Sequence, residues 1–555
     1  MASQMLRRAV NALLVVVSLG LVACHADDND PKGQADEIED AVRREHAVGQ
    51  LFSIFTARMA AAKGDRSAAP LKEFADQTLP QMVKAYLAHP EDNQNGLKML
   101  QLMAEMRDVR ALPALLKALE WQAEVSEDHA VTAATTMTVI DTPADKRGEV
   151  VAKIGAALRR VQGVRGVDNR MRKSFIEVLG KLKDKRATEF LVEVALRQDE
   201  SQNFLFNKLA AQQLIPIADE ASIEPMVKAL YLFDPNQPIM RMQEDAEAVL
   251  VAIGKASLEP LLKAARGENP EVGKLVDLSI ESFRRKDPEV AKAMNKDALV
   301  AREAVLAIGR LGVREAIDFL IKESTSEQAD RRTNGALALV AINRAPEDTK
   351  KVVDAISAVY QKSDKQARPQ MLVALRHLYT PDVMPMLFKV ASTTETELPP
   401  VQMYGFVSYA LLANKAEVKG LPAIIEKEEL IRPQIEEYKV AIQAAEACDV
   451  DVPCWIGKLK DKDTIVIRKA TTMLARYGRE NADVIKGLAE LLGHRDLEVR
   501  NEALSAADYA APNGSAVLVK RIDELEAKET GRSIWNNFKR EALPTRSRLI
   551  NRAAK

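Results

Sequence analysis

Ala298-Leu-Val-Ala-Arg-Glu-Ala-Val-Leu-Ala-Ile-Gly-Arg-Leu-Gly312 is followed, after a short break, by Asp318-Phe-Leu-Ile-Lys322. The first run carries apolar residues at helical spacing. Its closing glycines suit a left-handed helix terminus. The second run begins another amphipathic helix, so together they read as helix, tight turn, helix. The second half of this pattern recurs in Leu79-Pro-Gln-Met-Val-Lys-Ala-Tyr-Leu, Leu112-Pro-Ala-Leu-Leu-Lys-Ala-Leu and Glu224-Pro-Met-Val-Lys-Ala-Leu. It returns in Glu259-Pro-Leu-Leu-Lys-Ala-Ala and Met384-Pro-Met-Leu-Phe-Lys-Val-Ala. Each is expected to open a helix with Pro in the first turn, where the missing N–H costs nothing. First-helix endings recur as well, in Val178-Leu-Gly-Lys-Leu-Lys-Asp and Ala252-Ile-Gly-Lys-Ala.

The turns at Gly309, Asn343, Tyr379, Ala413 and Cys448 lie about 34 to 36 residues apart, with Gly478 and Ala510 at about 30 and 32. A fixed period of this size signals a stacked array, because one helix pair cannot bury its apolar face alone. Contacts are then expected mainly between adjacent pairs. Three segments break the period. Glu124–Arg170 reads partly as loop, with Gly163-Val-Arg-Gly-Val as a turn. Pro270–Lys296 adds about one helix, and Ser392–Pro400 is a polar linker. Long insertions on a regular scaffold are places where function is put, and equally often are simply tolerated.

Composition supports an all-helical chain. Of 555 residues only 5% are aromatic, and 79 Lys and Arg stand against 80 Asp and Glu. So even a balance leaves no global footprint for nucleic acid, and none is expected as a partner. At the start, Arg7 and Arg8 precede an apolar run from Ala12 to Val22. Such a run is too short to span a bilayer and has the form of an export signal.

Two resemblances add to this. Leu21-Val22-Ala23-Cys24 resembles the lipobox of bacterial lipoproteins. That resemblance implies a signal peptide over 1–23 and Cys24 as the acylated, palmitate-bearing new N-terminus. Residues 24–37, beginning His25-Ala-Asp-Asn-rich and polar, are then expected to form a flexible tether. His25 stands where Asp would signal inner-membrane retention, which points to the outer membrane of the cell envelope. The repeats resemble HEAT repeats, particularly the short kind shared with the phycobilisome-lyase-like group. Ala298–Gly312 and Asp496-Leu-Glu-Val-Arg-Asn-Glu-Ala-Leu-Ser-Ala-Ala carry this likeness, each with an Arg and a Glu before an Ala-rich run. The resemblance implies a right-handed alpha-alpha superhelix of the armadillo-like kind over 38–530, with 531–555 as a C-terminal cap and tail.

One polar position repeats among the second helices: Lys84, Lys117, Lys228, Lys263, Lys322 and Lys389, with Glu426 interrupting the row. HEAT architecture would place second helices on the concave side, making this a candidate row for an acidic protein partner. Otherwise these are solvated positions where Lys is a good helix former. Cys448 and Cys454, with five residues between them, are expected to pair in an oxidising compartment and to pin one intra-pair turn. The six histidines, His25, His46, His89, His129, His377 and His494, show no metal-ligand spacing and read as surface or capping residues. Neither a nucleophile elbow nor a phosphate loop is present, so no catalytic residue, metal or cofactor is assigned and the chain is not expected to be an enzyme. The expected function is a membrane-anchored, protein-binding scaffold or adaptor of the cell envelope. The alternatives are an enzyme or lyase-like maturation factor with its site in the aperiodic insertions, and a ligand-binding envelope receptor, which would show an enclosed apolar cavity.

Overall fold

Six of the described helix pairs turn through the same device. A first helix ends, one residue adopts a left-handed conformation, a three-residue 3-10 turn follows, and the second helix begins. Asn93–Met106 is followed by Arg107 at φ 52°, the turn Val109–Ala111 and the helix Leu112–Ala118. Gly166–Leu182 gives way to Lys183 at φ 50° and the turn Lys185–Ala187. In both turns an aspartate, Asp108 or Asp184, accepts from the backbone N–H two residues on and pairs with that residue's guanidinium. Gly254 at φ 86° and Gly312 at φ 69° occupy the left-handed place where the sequence anticipates glycine. Gly180 and Gly309 instead lie inside their helices. The reason at Gly309 is packing: a Cβ there would stand 2.6 Å from the Ala338 Cα of the next first helix.

The computed structural model describes residues 27–198, 202–234, 237, 240–342, 344–392, 398–419 and 432–554. The signal segment, Cys24, His25, Asn343 and Glu426 therefore lie outside the described residues. The described elements are helices, and among them no helix is long and apolar enough to cross a membrane. Contacts divide the chain into two bodies, Met1–Leu191 with Asp199–Leu209, and Val192–Gln198 with Ala210–Lys555.

In the N-terminal body the segment expected to be a tether is folded from Pro31 onward. Asp30 caps the helix Pro31–Glu37, whose Gln34 and Ala35 are buried together with the following Ile38. This helix packs on Arg44–Ala61 and Ala69–Ala88. Buried Arg44 donates to the Ile38 carbonyl at 2.8 Å and to Asp92 at 3.0 Å, which ties the segment down. Pro80, expected to start a helix, sits inside Ala69–Ala88, where buried Leu71, Phe74 and Ala75 carry the helix through the preceding turn. Glu124–Arg170 is mostly helical rather than loop, with Glu127–Met137 and Arg147–Arg160 forming most of it. His129 is a core residue, held by the Tyr86 hydroxyl at 2.9 Å and the Asn93 carbonyl at 2.9 Å. Burial keeps its pKa below the usual histidine range.

The C-terminal body keeps the predicted period. Its first helices end at Leu311, Val340, Arg376, Leu412, Cys448, Tyr477 and Ala510. Pro270–Lys296 contributes one long helix, Pro270–Lys286, and one short one, Pro288–Ala293. Of the polar linker, residues 393–397 lie outside the described residues, and a helix starts at Pro399. Neighbouring pairs stack as expected, yet contacts do not stay between neighbours. The C-terminal helix Ser533–Ala553 packs on the distant first helix Gln243–Ile253, and also on Lys296–Leu311 and Leu497–Ala510. Trp535, Phe538 and Leu549 supply its buried face. Arg310 donates to Glu541 at 3.0 and 3.1 Å, and its Nε lies 2.9 Å from Glu247. Asn551 donates to the Val251 carbonyl at 2.9 Å. The body thus closes on itself through its first helices. Nearest-neighbour stacking misses this closure because its polar anchors look, in sequence, like solvated helix positions.

Two outcomes follow. Gly309→Val should lower stability by about 1–3 kcal/mol, the usual cost of overpacking, whereas Gly457→Ala, with open space around it in the helix Val452–Lys458, should raise it by about 0.5–1 kcal/mol. Urea unfolding of both variants followed by circular dichroism reads the difference. Glu247 is 2% exposed, and burial pushes its carboxyl up to about 7 despite Arg310. A raised folded pKa stabilises below the unfolded value near 4.5 and is lost as pH rises through about 7. Wild type should therefore lose about 2 kcal/mol relative to Glu247→Gln between pH 5 and 7.5. Paired unfolding curves at the two pH values measure it.

Candidate functional site

Closure of the C-terminal body leaves a cavity of about 690 Å³. Its walls come from Ala329–Val340, Arg368–Arg376, Pro399–Leu412 and Leu497–Ala510, which are first helices, and from Ser533–Ala553. Leu337, Val340, Val373, Ala374 and Leu504 give it an apolar side. Tyr379, Tyr404 and Tyr509 supply aromatic surface, and Arg344, Arg548 and Arg552 supply cationic groups.

The charged residues around this space are mostly matched. Asp508 lies 2.9 Å from Arg548 and 2.8 Å from Arg552. Burial works to raise its pKa, but the two guanidiniums win and hold the carboxyl below its usual range. Glu541 is taken by Arg310. In the wall, Glu502 receives Arg376 and stands 3.3 Å from the His377 Nε2 and 3.4 Å from Arg468. Burial opposes ionisation there too, yet these cations keep Glu502 well below the carboxylate range. The Tyr379 hydroxyl donates to the Ser505 Oγ at 3.0 Å, joining two first helices far apart in sequence.

Arg344 is the exception. It is 2% exposed and no carboxylate among the described residues pairs with it. Its guanidinium donates to the carbonyls of Leu378 at 2.8 Å and Val340 at 3.3 Å, and its Nε has no partner. Burial pulls its pKa down to about 10. Its guanidinium carbon lies 5.2 Å from the Tyr509 ring centroid, and that of Arg479 lies 5.0 Å from the same centroid. Arg479 in turn donates to the Arg344 carbonyl at 3.2 Å. This arrangement offers an anion a desolvated, oriented cation beside an aromatic ring. None of these residues is picked out by the sequence reading. A signal was present in Ala507-Asp-Tyr-Ala510, where a charge and an aromatic interrupt an Ala-rich first helix.

The lysine row lies elsewhere. Lys228, Lys263, Lys322 and Lys389 sit on second helices of the C-terminal body, and none lines the cavity. First helices line this cavity, together with the C-terminal helix. Lys263, Lys322 and Lys389 are exposed, whereas Lys228 is half-buried near Glu271. In the N-terminal body, exposed Lys84 pairs with Glu39 at 2.9 Å and Lys117 with Glu120 at 2.7 Å.

Cys448 and Cys454 stand at disulfide distance, with Cα atoms 5.4 Å apart, around the turn that Asp449 makes at φ 48°. Trp455 donates its ring N–H to the Asp449 carbonyl at 2.8 Å, so the same turn is braced twice. The insertion 270–296 borders a second concavity of about 440 Å³, whose Lys296 and Asp277 pair at 2.6 Å. None of its charged lining residues is buried. Among the described residues no group of three His, Cys, Asp or Glu is arranged to hold a metal ion. His46 pairs with Asp28 at 3.1 Å on the surface, His89 lies 3.5 Å from Glu91, and His494 accepts from the Asp496 N–H at the start of a helix.

No protein-family model matches the sequence, and no curated protein matches it. Solved structures do resemble the fold. Kap121p is 13% identical, with a TM-score of 0.43, over 89% of this chain and 54% of its own. The karyopherin Kap121p bound to the extreme C-terminus of the protein phosphatase Cdc14p is 12% identical, with a TM-score of 0.40, over 99% of this chain and 57% of its own. An engineered protein is 18% identical, with a TM-score of 0.25, over 80% of this chain and 99% of its own. The chain thus spans about half the length of the karyopherin it resembles. Its architecture, established by its own stacked helix pairs, is that of a HEAT-like, armadillo-type helical repeat.

Proposed function

We propose that this chain is a lipid-anchored helical-repeat scaffold of the bacterial cell envelope, held through Cys24 in the outer membrane, that binds a protein partner on its second-helix faces. The observation that carries the reading is the division of labour in the C-terminal body. First helices are spent on closure around the C-terminal helix, while second helices keep Lys263, Lys322 and Lys389 exposed. Equivalent positions of a repeat line up along a surface, so such a row sums its potential toward an acidic partner. The Leu21–Cys24 lipobox supports the anchor, and the capped helix Pro31–Glu37 takes part of the expected tether into the fold.

The anchor and the partner face are tested separately in living cells. Wild type should incorporate labelled palmitate and sediment with membranes, and Cys24→Ala should do neither. A photo-reactive amino acid placed at 263 or 322 should give one defined protein adduct, and the same probe at 373, inside the cavity wall, should not. Absence of adducts at both second-helix positions would exclude this partner face, whatever the fate of the anchor.

A further inference from the structure

The cavity in the C-terminal body holds a cation that the fold itself leaves without a counter-ion. A buried, unpaired charge costs several kcal/mol in any protein, and its removal from water is compensated only by a well-placed opposite charge. Arg548 and Arg552 have Asp508, and Arg310 has Glu541. Arg344 has two backbone carbonyls and a tyrosine face. Carbonyl dipoles satisfy some of its N–H groups, but its Nε stays without a partner. The space beside it, about 690 Å³, falls within the 300–1,000 Å³ of small-molecule sites.

We propose that this cavity binds a small amphiphilic anion, whose carboxylate or phosphate head meets Arg344 and whose apolar body lies along Val340, Val373 and Leu504. Each part of the ligand answers one part of the wall. The head is anionic because the cation it meets is otherwise unmatched. The body is apolar because Val340, Val373 and Leu504 line the same space, with Tyr404 at the more exposed side. Tyr509, with Arg344 and Arg479 both over its ring, holds the guanidinium in place before the ligand arrives. That preorganisation spares the entropy of ordering a long side chain on binding. This site is distinct from the second-helix face and does not depend on the scaffold reading.

Calorimetric titration of the purified full-length protein with decanoate, decyl phosphate and the neutral decanamide tests it. At least one of the two anions should bind saturably at one site per chain, with decanamide at least tenfold weaker. A preference for decyl phosphate would point to a lipid headgroup, and a preference for decanoate to a free fatty acid. Arg344→Gln should weaken binding at least tenfold, while the exposed Lys520→Gln should leave it unchanged. Val373→Trp fills the apolar side without touching the cation and should abolish binding. It decides the matter if Arg344→Gln does not fold, with circular dichroism reporting the folded state. Lack of saturable binding by either anion, equal affinity for decanamide, or undiminished binding by Val373→Trp would overturn the proposal.

Discussion

Arg310 sits where the C-terminal body either closes or stays open. Its guanidinium reaches Glu247 on one first helix and Glu541 on the C-terminal helix, and its own carbonyl accepts from Arg548. Three helices from distant parts of the chain therefore share one residue. Everything else in this body is arranged around that junction: the buried face of Ser533–Ala553, the walls of the cavity and the outward turn of the second helices. Of the two acidic partners only Glu247 is buried, and a carboxyl buried there is costly to leave without its cation, whereas the exposed Glu541 contact is cheap to break. Together the two contacts specify which surfaces meet.

Much of this architecture can be read from the chain. Apolar periodicity, Pro in the first turn of second helices and the turn-to-turn spacing lead to the helix pairs and their order. The aspartate-capped 3-10 turns at Asp108 and Asp184 were legible too, since an Asp two residues before an Arg recurs directly ahead of a second helix. What local patterns cannot reveal is a contact between residues hundreds of positions apart. Asp508 and Arg548 lie on helices whose sequences look like ordinary charged faces, and Arg344 lies in a short connection between two helices. Their burial follows from curvature accumulated over many repeats, and no single repeat encodes it. The same limit applies to Gly309, which reads as a helix terminator but is small because Ala338 of the next helix approaches it. In the N-terminal body, polarity concealed the order of Pro31–Glu37, because burying Pro31, Gln34, Ala35 and the following Ile38 is enough to dock so short a helix.

The candidate site was less legible than the fold. Lys263, Lys322 and Lys389 stand out by repetition, and the structure leaves them on an exposed face. The cavity has no repeated signature, because each wall contributes a different residue to it. Repetition marks surfaces that every pair presents, whereas a single enclosed site uses the places where pairs differ. Tyr509 and Arg344 belong to that second kind.

Closure between Val251 and Asn551 also changes how this body comes apart. An open stack of helix pairs can fray from either end, one pair at a time, because each pair answers only to its neighbours. Joining positions about 300 residues apart closes a long chain loop, which is slow to form because the closure entropy is met before the contacts return it. Once formed, the latch makes the end helix a structural neighbour of the middle. Terminal fraying then has to break the interior as well, so the C-terminal body behaves as one cooperative unit with a slow step at its completion.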